Sequence, residues 1–367
     1  MILYPDYDHS ILNVTATLFK HYNAPTRYKS IPVLEEALKH EFRHVILLLL
    51  DGMGINIIKD HLKESDFLRR NVKDVITSVF PPTTVAATNA VLSGLPPYSS
   101  GYLGWVQYFK KEKTNCVVFL NVDYYDKTKK LNEVLRDKYL SYPTIYQQIE
   151  KNSPEVKTYE LFPSFRPNGF ETFQRQVIYA ANLTQQDEKN FTYMYWTDPD
   201  LTEHTEGIHG KKTVRVLSEL NTQVEYLASQ MHEDTLLIVI ADHGLIDVKG
   251  IDLYRDTELI GMLKRMPSME PRASNFFVKR GMKRAFKRMF NEKYSQYFML
   301  LTKKELLKIK LLGEGKQHLM LNDFLGDYLA ISTSEYMFKM NKDKSFVAHH
   351  AGLTQAEMEV PLILYHK

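Results

Sequence analysis

Val45-Ile46-Leu47-Leu48-Leu49-Leu50-Asp51-Gly52-Met53-Gly54 is the stretch that decides the fold. Its six consecutive aliphatic residues are too few to cross a membrane and too uniformly apolar for a half-exposed strand, so they predict a strand buried on both faces. A strand of that kind belongs to a parallel sheet covered by helices on each side. The run ends at a carboxylate followed by Gly-Met-Gly, and the carboxyl end of a central strand is where open α/β sheets bind ligands. Asp51 is therefore placed for chemistry. The same Gly-x-Gly also suits a turn or cap aspartate, and on this stretch alone the two readings stand level.

The pattern recurs along the chain. Thr235-Leu236-Leu237-Ile238-Val239-Ile240-Ala241-Asp242-His243-Gly244 repeats an apolar run cut off by an acid and a glycine. Phe191 to Trp196 is a further β-rich run, leading into Thr197-Asp198-Pro199-Asp200. Val75 to Phe80 reads as another strand, stopped by Pro81-Pro82, and Thr83 to Gly94 then fits a tightly packed helix with a glycine stop. Helices are expected over Ser10 to Phe19, Ile31 to His40, from the first strand to about Leu68, and over 142–151, 174–183 and 212–231. Val156 to Leu161 and Val360 to Tyr365 read as strands. The whole is an α/β, doubly wound, mostly parallel sheet.

Residues 97–130, rich in tyrosine, phenylalanine and lysine, read as an irregular surface segment or hairpin with a short strand at Cys116 to Leu120. From about 252 to 345 the composition turns basic, with helical stretches at 279–293 and 303–310 and extended ones at 273–279 and 326–332. This predicts an inserted α+β subdomain (252–345) in a core formed by 1–251 and 346–367.

A hydrophobic fraction of 44%, a charged fraction of 25% and a net charge of +3 over 367 residues describe an ordinary globular chain. They give no bulk electrostatic case for binding a nucleic-acid polymer. The single cysteine, Cys116, excludes an intramolecular disulfide and any multi-cysteine metal site. No secretory signal or membrane-length apolar run is legible, so a cytoplasmic protein with no membrane partner is expected. Oligomeric state is not legible.

The candidate ligands all follow strands: Asp51, then Asp200 and His204, then Asp242 and His243, with His350 ahead of the last strand. Three carboxylates and three imidazoles suit zinc or manganese rather than calcium. Two such divalent ions would clamp the attacking and leaving oxygens of an in-line displacement at phosphorus. Thr84 is the natural nucleophile, since a hydroxyl needs a cation to become an alkoxide and the amides at its helix start favour a phosphate-like anion. Thr83 or Thr84 also reads as a plain helix cap, the commoner job for such a residue.

The motifs, taken together, resemble the alkaline phosphatase superfamily and, within it, the type I phosphodiesterase/nucleotide pyrophosphatase branch. They are the strand before Asp51-Gly52, Pro82-Thr83-Thr84 ahead of Ser93-Gly94-Leu95-Pro96, Pro199-Asp200-x-x-x-His204-x-x-Gly207, Ala241-Asp242-His243-Gly244, and His350-Ala351-Gly352 ahead of Met358-Glu359-Val360-Pro361. The resemblance implies one zinc-type site of Asp200, His204 and His350 and a second of Asp51, Asp242 and His243. Thr84 would touch the second ion and carry a covalent phosphothreonine-type intermediate, and the substrate would be a small phosphorylated or nucleotide-like molecule. Animal members of the branch hold a phosphate oxygen with an asparagine roughly twenty residues past the nucleophile. Here the comparable stretch is Tyr102-Leu103-Gly104-Trp105.

Trp105 and Tyr102 are candidates to stack a base or sugar, or simply to pack a lid. Arg272 is a candidate phosphate contact, or a surface loop cation. His349 is a possible neighbour of the ligands, His209 reads as a loop histidine, and Asp123 and Asp126 as solvated turn acids. A phosphomonoesterase or phosphate-transferring mutase would use the same ligands, and a non-catalytic binding protein could keep the scaffold.

Overall fold

The computed structural model describes residues 1–341 and 346–367; the last four residues of the predicted insert, 342–345, lie outside the described residues. Its central sheet has six strands in the spatial order Val72–Thr77, Glu359–Tyr365, Thr235–Ile240, His44–Leu50, Asn190–Trp196, Lys157–Leu161. The last four are mutually parallel, while Glu359–Tyr365 runs antiparallel between Thr235–Ile240 and Val72–Thr77. The sheet is thus mostly parallel, as the sequence predicts. Burial follows position: every residue of His44–Leu50 and Thr235–Ile240 is buried, whereas the two edge strands alternate or face solvent in part.

Two groups of helices cover the sheet. Lys211–Gln230 packs on Phe173–Leu183, and Ile11–His21 packs on Thr84–Ser93. Some predicted helices are shorter or divided: the second spans only Pro32–Ala37, and the run expected to reach Leu68 is split into Ile55–His61 and Phe67–Arg70. The strand expected over Val75 to Phe80 is Val72–Thr77 instead, which leaves Ser78 to Thr83 as a turn leading to the helix. Among the described residues no helix is long and apolar enough to cross a membrane.

The larger departure is in residues 97–130. They hold the hairpin that the sequence allowed, Val106–Phe109 with Thr114–Val117, which Val122–Asp123 extends into an antiparallel meander, but they are not a peripheral segment. Through Val106 and Met269 the meander joins Ser268–Glu270, and so becomes part of a seven-stranded sheet with Ala273–Phe276, Tyr328–Ser332 and Phe298–Thr302. The apolar core of this sheet includes Phe80, Val85 and Ala351, so it is built directly against the turn that carries Thr84 and the segment that carries His350. Asp123, expected to be a solvated turn acid, is buried and accepts hydrogen bonds from the Thr114 hydroxyl and the amides of Asn115, Tyr125 and Asp126. Asp126 is exposed, as expected.

Candidate functional site

Strand register brings the site together. Leu50 pairs with Trp196 and Leu49 with Ile240, so the segments that follow three adjacent parallel strands emerge at one edge of the sheet. They carry Asp51, Asp200 and Asp242. Gly52 makes the close approach possible: its φ is +74°, and a Cβ there would lie 2.7 Å from the Asp200 Cβ. Its amide donates to Asp242 Oδ1 at 3.0 Å, as does the amide of His243. Asp198 accepts from the Thr202 hydroxyl at 2.8 Å and so holds the first turn of helix Asp200–Glu206.

All seven predicted residues converge. Thr84 Oγ1 lies 3.4 Å from Asp51 Oδ1 and 3.3 Å from His243 Nε2. His243 Nε2 is 3.4 Å from both Asp51 Oδ1 and Asp242 Oδ2. Asp200 Oδ1 is 3.4 Å from His204 Nε2 and 3.8 Å from His350 Nε2. Two sets of donor atoms cluster within 4.8 Å of one another: Asp200, His204 and His350, and Asp51, Asp200 and His243. Asp200 thus belongs to both sets, and Asp242 meets the second through His243. The Asp51, Asp242, His243 and His350 side chains are buried, while Thr84, Asp200 and His204 keep partial access to solvent.

The donor set fits divalent cations. Asp200 Oδ1 and Asp242 Oδ2 are buried without a hydrogen-bond partner among the described residues, which is costly for a carboxylate oxygen unless something positive meets it. The ion-pair partners of the three acids, among those residues, are imidazoles alone. Burial, reinforced by the neighbouring Asp242 and Asp200, holds Asp51 well above the usual carboxylate range, and burial also raises Asp242. His350 is driven well below the ordinary imidazole value by burial and by the imidazoles around it, so it stands neutral, the form that ligates. His204 Nδ1 faces the Ala348 carbonyl at 2.9 Å and His350 Nδ1 the Pro82 carbonyl at 3.1 Å, which turns each Nε2 into the pocket.

Other predicted residues fall differently. Arg272 is not a phosphate contact: it is fully buried, forms a two-pronged ion pair with Glu357 at 2.6 and 2.8 Å, and gives its remaining bonds to the carbonyls of Tyr336 and Ser334. A loop cation was expected because the strand before it, Ser268–Glu270, was not, although the extended stretch after it was. Replacing Arg272 with methionine should cost about 3–5 kcal/mol of stability, by leaving Glu357 charged and alone. A denaturant titration measures this; unchanged stability with a raised KM would restore the substrate role. Tyr102 is buried with its ring edge-on to Tyr142, whereas Trp105 stays partly exposed. His349 packs its ring 4.9 Å from that of His204, and His209 is exposed, sets its ring edge-on to His61 and belongs to neither donor set.

Two residues escaped the sequence. Tyr195 donates its hydroxyl to Asp51 Oδ2, from a strand position that reads only as apolar packing. Glu270 is buried in the second sheet, and its Oε1 accepts from the Thr83 hydroxyl at 2.7 Å and the Trp105 amide at 2.6 Å. Burial pushes its carboxyl up to about 7.

A family model described as type I phosphodiesterase/nucleotide pyrophosphatase matches residues 45–352. The chain belongs to this family. Solved structures of similar fold include murine ectonucleotide pyrophosphatase/phosphodiesterase 5, 16% identical over 88% of this chain and 87% of that one, with a TM-score of 0.64. The human counterpart is 15% identical over the same shares, with a TM-score of 0.63. Phosphonoacetate hydrolase from Sinorhizobium meliloti 1021, in complex with phosphonoformate, is 15% identical over 87% of this chain and 89% of that one, with a TM-score of 0.62. Family membership makes the chain a phosphoester hydrolase of the metal-dependent alkaline phosphatase superfamily, and its donor clusters supply candidate ligands.

Proposed function

We propose that the chain is a two-metal hydrolase of the phosphodiesterase/nucleotide pyrophosphatase type with Thr84 as its nucleophile. The observation that carries this reading is Thr84 Oγ1 standing between Asp51 Oδ1 and His243 Nε2 at the open side of the acid cluster. Asp200, His204 and His350 would hold one ion, and Asp51, Asp242 and His243 the other, zinc being favoured over manganese by the share of imidazoles. Divalent cations here would neutralise the three acids and lower the pKa of a hydroxyl beside them.

The chain's own groups then have definite tasks. Thr84 Oγ1 attacks phosphorus in line with the leaving oxygen, whose bond to phosphorus breaks, and the threonine becomes esterified. Because Thr84 keeps partial access to solvent, its proton can leave to water, and water can later enter, attack the phosphothreonine and return the hydroxyl. Asp242, fixed by two backbone amides, and His243 keep that edge of the pocket rigid. Tyr195 orients Asp51. Trp105 is the remaining candidate for stacking on a base or sugar. A murine ectonucleotide pyrophosphatase/phosphodiesterase 5 variant, inactive through a threonine-to-alanine change, was solved with AMP, in line with a nucleotide-like substrate and a threonine nucleophile.

The fate of Arg272 favours a diester or pyrophosphate over a monoester. A monoester dianion calls for an added cation at its free oxygens, and this guanidinium is committed to Glu357. The test is a panel of bis-nitrophenyl phosphate, nitrophenyl phosphate and nucleotide substrates with added zinc or manganese. The diester should be turned over faster than the monoester, a chelator should abolish turnover, and returned zinc should restore it. Turnover indifferent to chelation overturns the metal reading, and phosphate retained in the product would favour a mutase. We also place the chain in the cytoplasm, a reading supported by its one cysteine, a buried unpaired thiol; recovery of the mature protein outside the cell would overturn it.

A further inference from the structure

Thr83 occupies the cap position of helix Thr84–Ser93, with extended backbone (φ −145°, ψ 145°), yet its side chain makes no capping bond. A threonine there ordinarily accepts from an amide in the first turn. Here the hydroxyl points the other way and donates to Glu270 Oε1 at 2.7 Å. Among the described residues, the first-turn amides of Thr84, Val85 and Ala86 have no bonded acceptor, and Val85 or Ala86, which a capping hydroxyl would have filled, stays open beside the Thr84 hydroxyl.

The holding group is itself held. Glu270 is 2% exposed, and the same oxygen also takes the Trp105 amide at 2.6 Å. Gly104, just before Trp105, comes so near that a Cβ would sit 3.1 Å from the Met269 Cα and 3.3 Å from the Glu270 Cγ. Met269 adopts a φ of +71°, a left-handed conformation that a methionine takes only where its surroundings impose it. Strand and preceding loop are thus both shaped around this carboxylate.

Building on the hydrolase reading above, we infer that Glu270 is a positioning residue that draws the Thr83 hydroxyl off the helix, keeping the first-turn amides open for the oxygens of the phosphoryl group that Thr84 attacks. The second sheet therefore does more than roof the site. It sets the chemical state of the helix end.

The consequence is a suppressor relation. Glu270→Ala releases the Thr83 hydroxyl to cap its own helix, so kcat should fall about 100-fold with little change in KM, and inhibition by inorganic phosphate should weaken. Glu270→Gln keeps an accepting oxygen and should hold most of the activity. Adding Thr83→Val to Glu270→Ala removes the competing hydroxyl and should recover at least about tenfold of the lost kcat. A merely structural contact would give the opposite, a double variant no better than Glu270→Ala. The inference is overturned by that result, by Glu270→Gln as impaired as Glu270→Ala, or by Glu270→Ala as active as the parent. Should Glu270→Ala fail to fold, as shown by circular dichroism, Glu270→Gln and Thr83→Val decide alone: the first must keep phosphate inhibition, and the second must not weaken it. Thr84→Ala assayed in parallel separates the two readings. An active Thr84→Ala sinks the nucleophile, whereas an inactive one beside an unaffected Glu270→Ala sinks only this inference.

Discussion

Thr84→Ala should lower turnover of the preferred substrate by at least about 10³-fold while leaving the fold and bound metal largely intact. The hydroxyl is the only atom of Thr84 that approaches Asp51 and His243, and its removal leaves no other oxygen on the first helical turn in its place. The helix itself does not depend on that group: the Thr84 carbonyl still accepts from Thr88, and the packing of Val85 to Val91 is untouched. Metal binding should survive because both donor sets consist of carboxylates and imidazoles. Thr84→Ser keeps a hydroxyl at the same Cβ and should retain a measurable part of the activity. Steady-state kinetics checks the pair, and mass spectrometry of the parent enzyme acid-quenched during turnover of a diester should find, on the peptide that contains Thr84, a phosphoryl group still carrying the substituent that did not leave. Near-parental turnover by the alanine variant would mean that water attacks directly and that Thr84 only lines the pocket.

The residues that make this prediction possible were legible because each sits where a strong pattern breaks. Asp51 and Asp242 end runs of buried aliphatics, and Asp200 follows a third buried strand, rich in aromatics, so the parallel sheet aligns them without long-range information. Glu270 and Arg272 were not legible, because their meaning depends on a sheet that joins Val106 to Met269 across more than a hundred residues; Asp123 was not, because it and its partners Thr114 and Asn115 sit on strands of two and four residues, too short to show a pattern. Alternation of apolar residues in Val106–Phe109 is too short to separate a strand from a packed loop, and the partner that settles it, Ser268–Glu270, spans three residues. Without that pairing Arg272 looks like a free cation on a loop, and with it the same side chain is a buried strut. The C-terminal strand illustrates a milder limit: its existence follows from Val360 to Tyr365, but its antiparallel direction depends on the chain entering from the His350 side.

Asp242→Asn separates the metal-binding role of this acid from its backbone role, and should cost one of two bound ions and nearly all activity. Asp242 Oδ1 accepts from the amides of Gly52 and His243, and an asparagine carbonyl can do the same. Oδ2 accepts nothing among the described residues and faces His243 Nε2 at 3.4 Å; there the asparagine would present an NH2 donor, which cannot ligate. The stability change should reverse sign with conditions. In chelator, Asp51 and Asp242 are two buried acids offset by imidazoles, amides and the hydroxyls of Tyr195 and Thr84 but by no full positive charge, so neutralising one should leave the variant at least as stable as the parent. With zinc present at about a hundred times its dissociation constant, the parent gains about 2.7 kcal/mol per site by mass action, and the variant should gain it at one site only. Thermal melts in chelator and in zinc, together with metal analysis, read both effects. A variant that binds two ions and shows the parent's zinc-dependent rise would remove Asp242 from the ligand set and leave Asp51, Asp200 and His243 as the second site's donors.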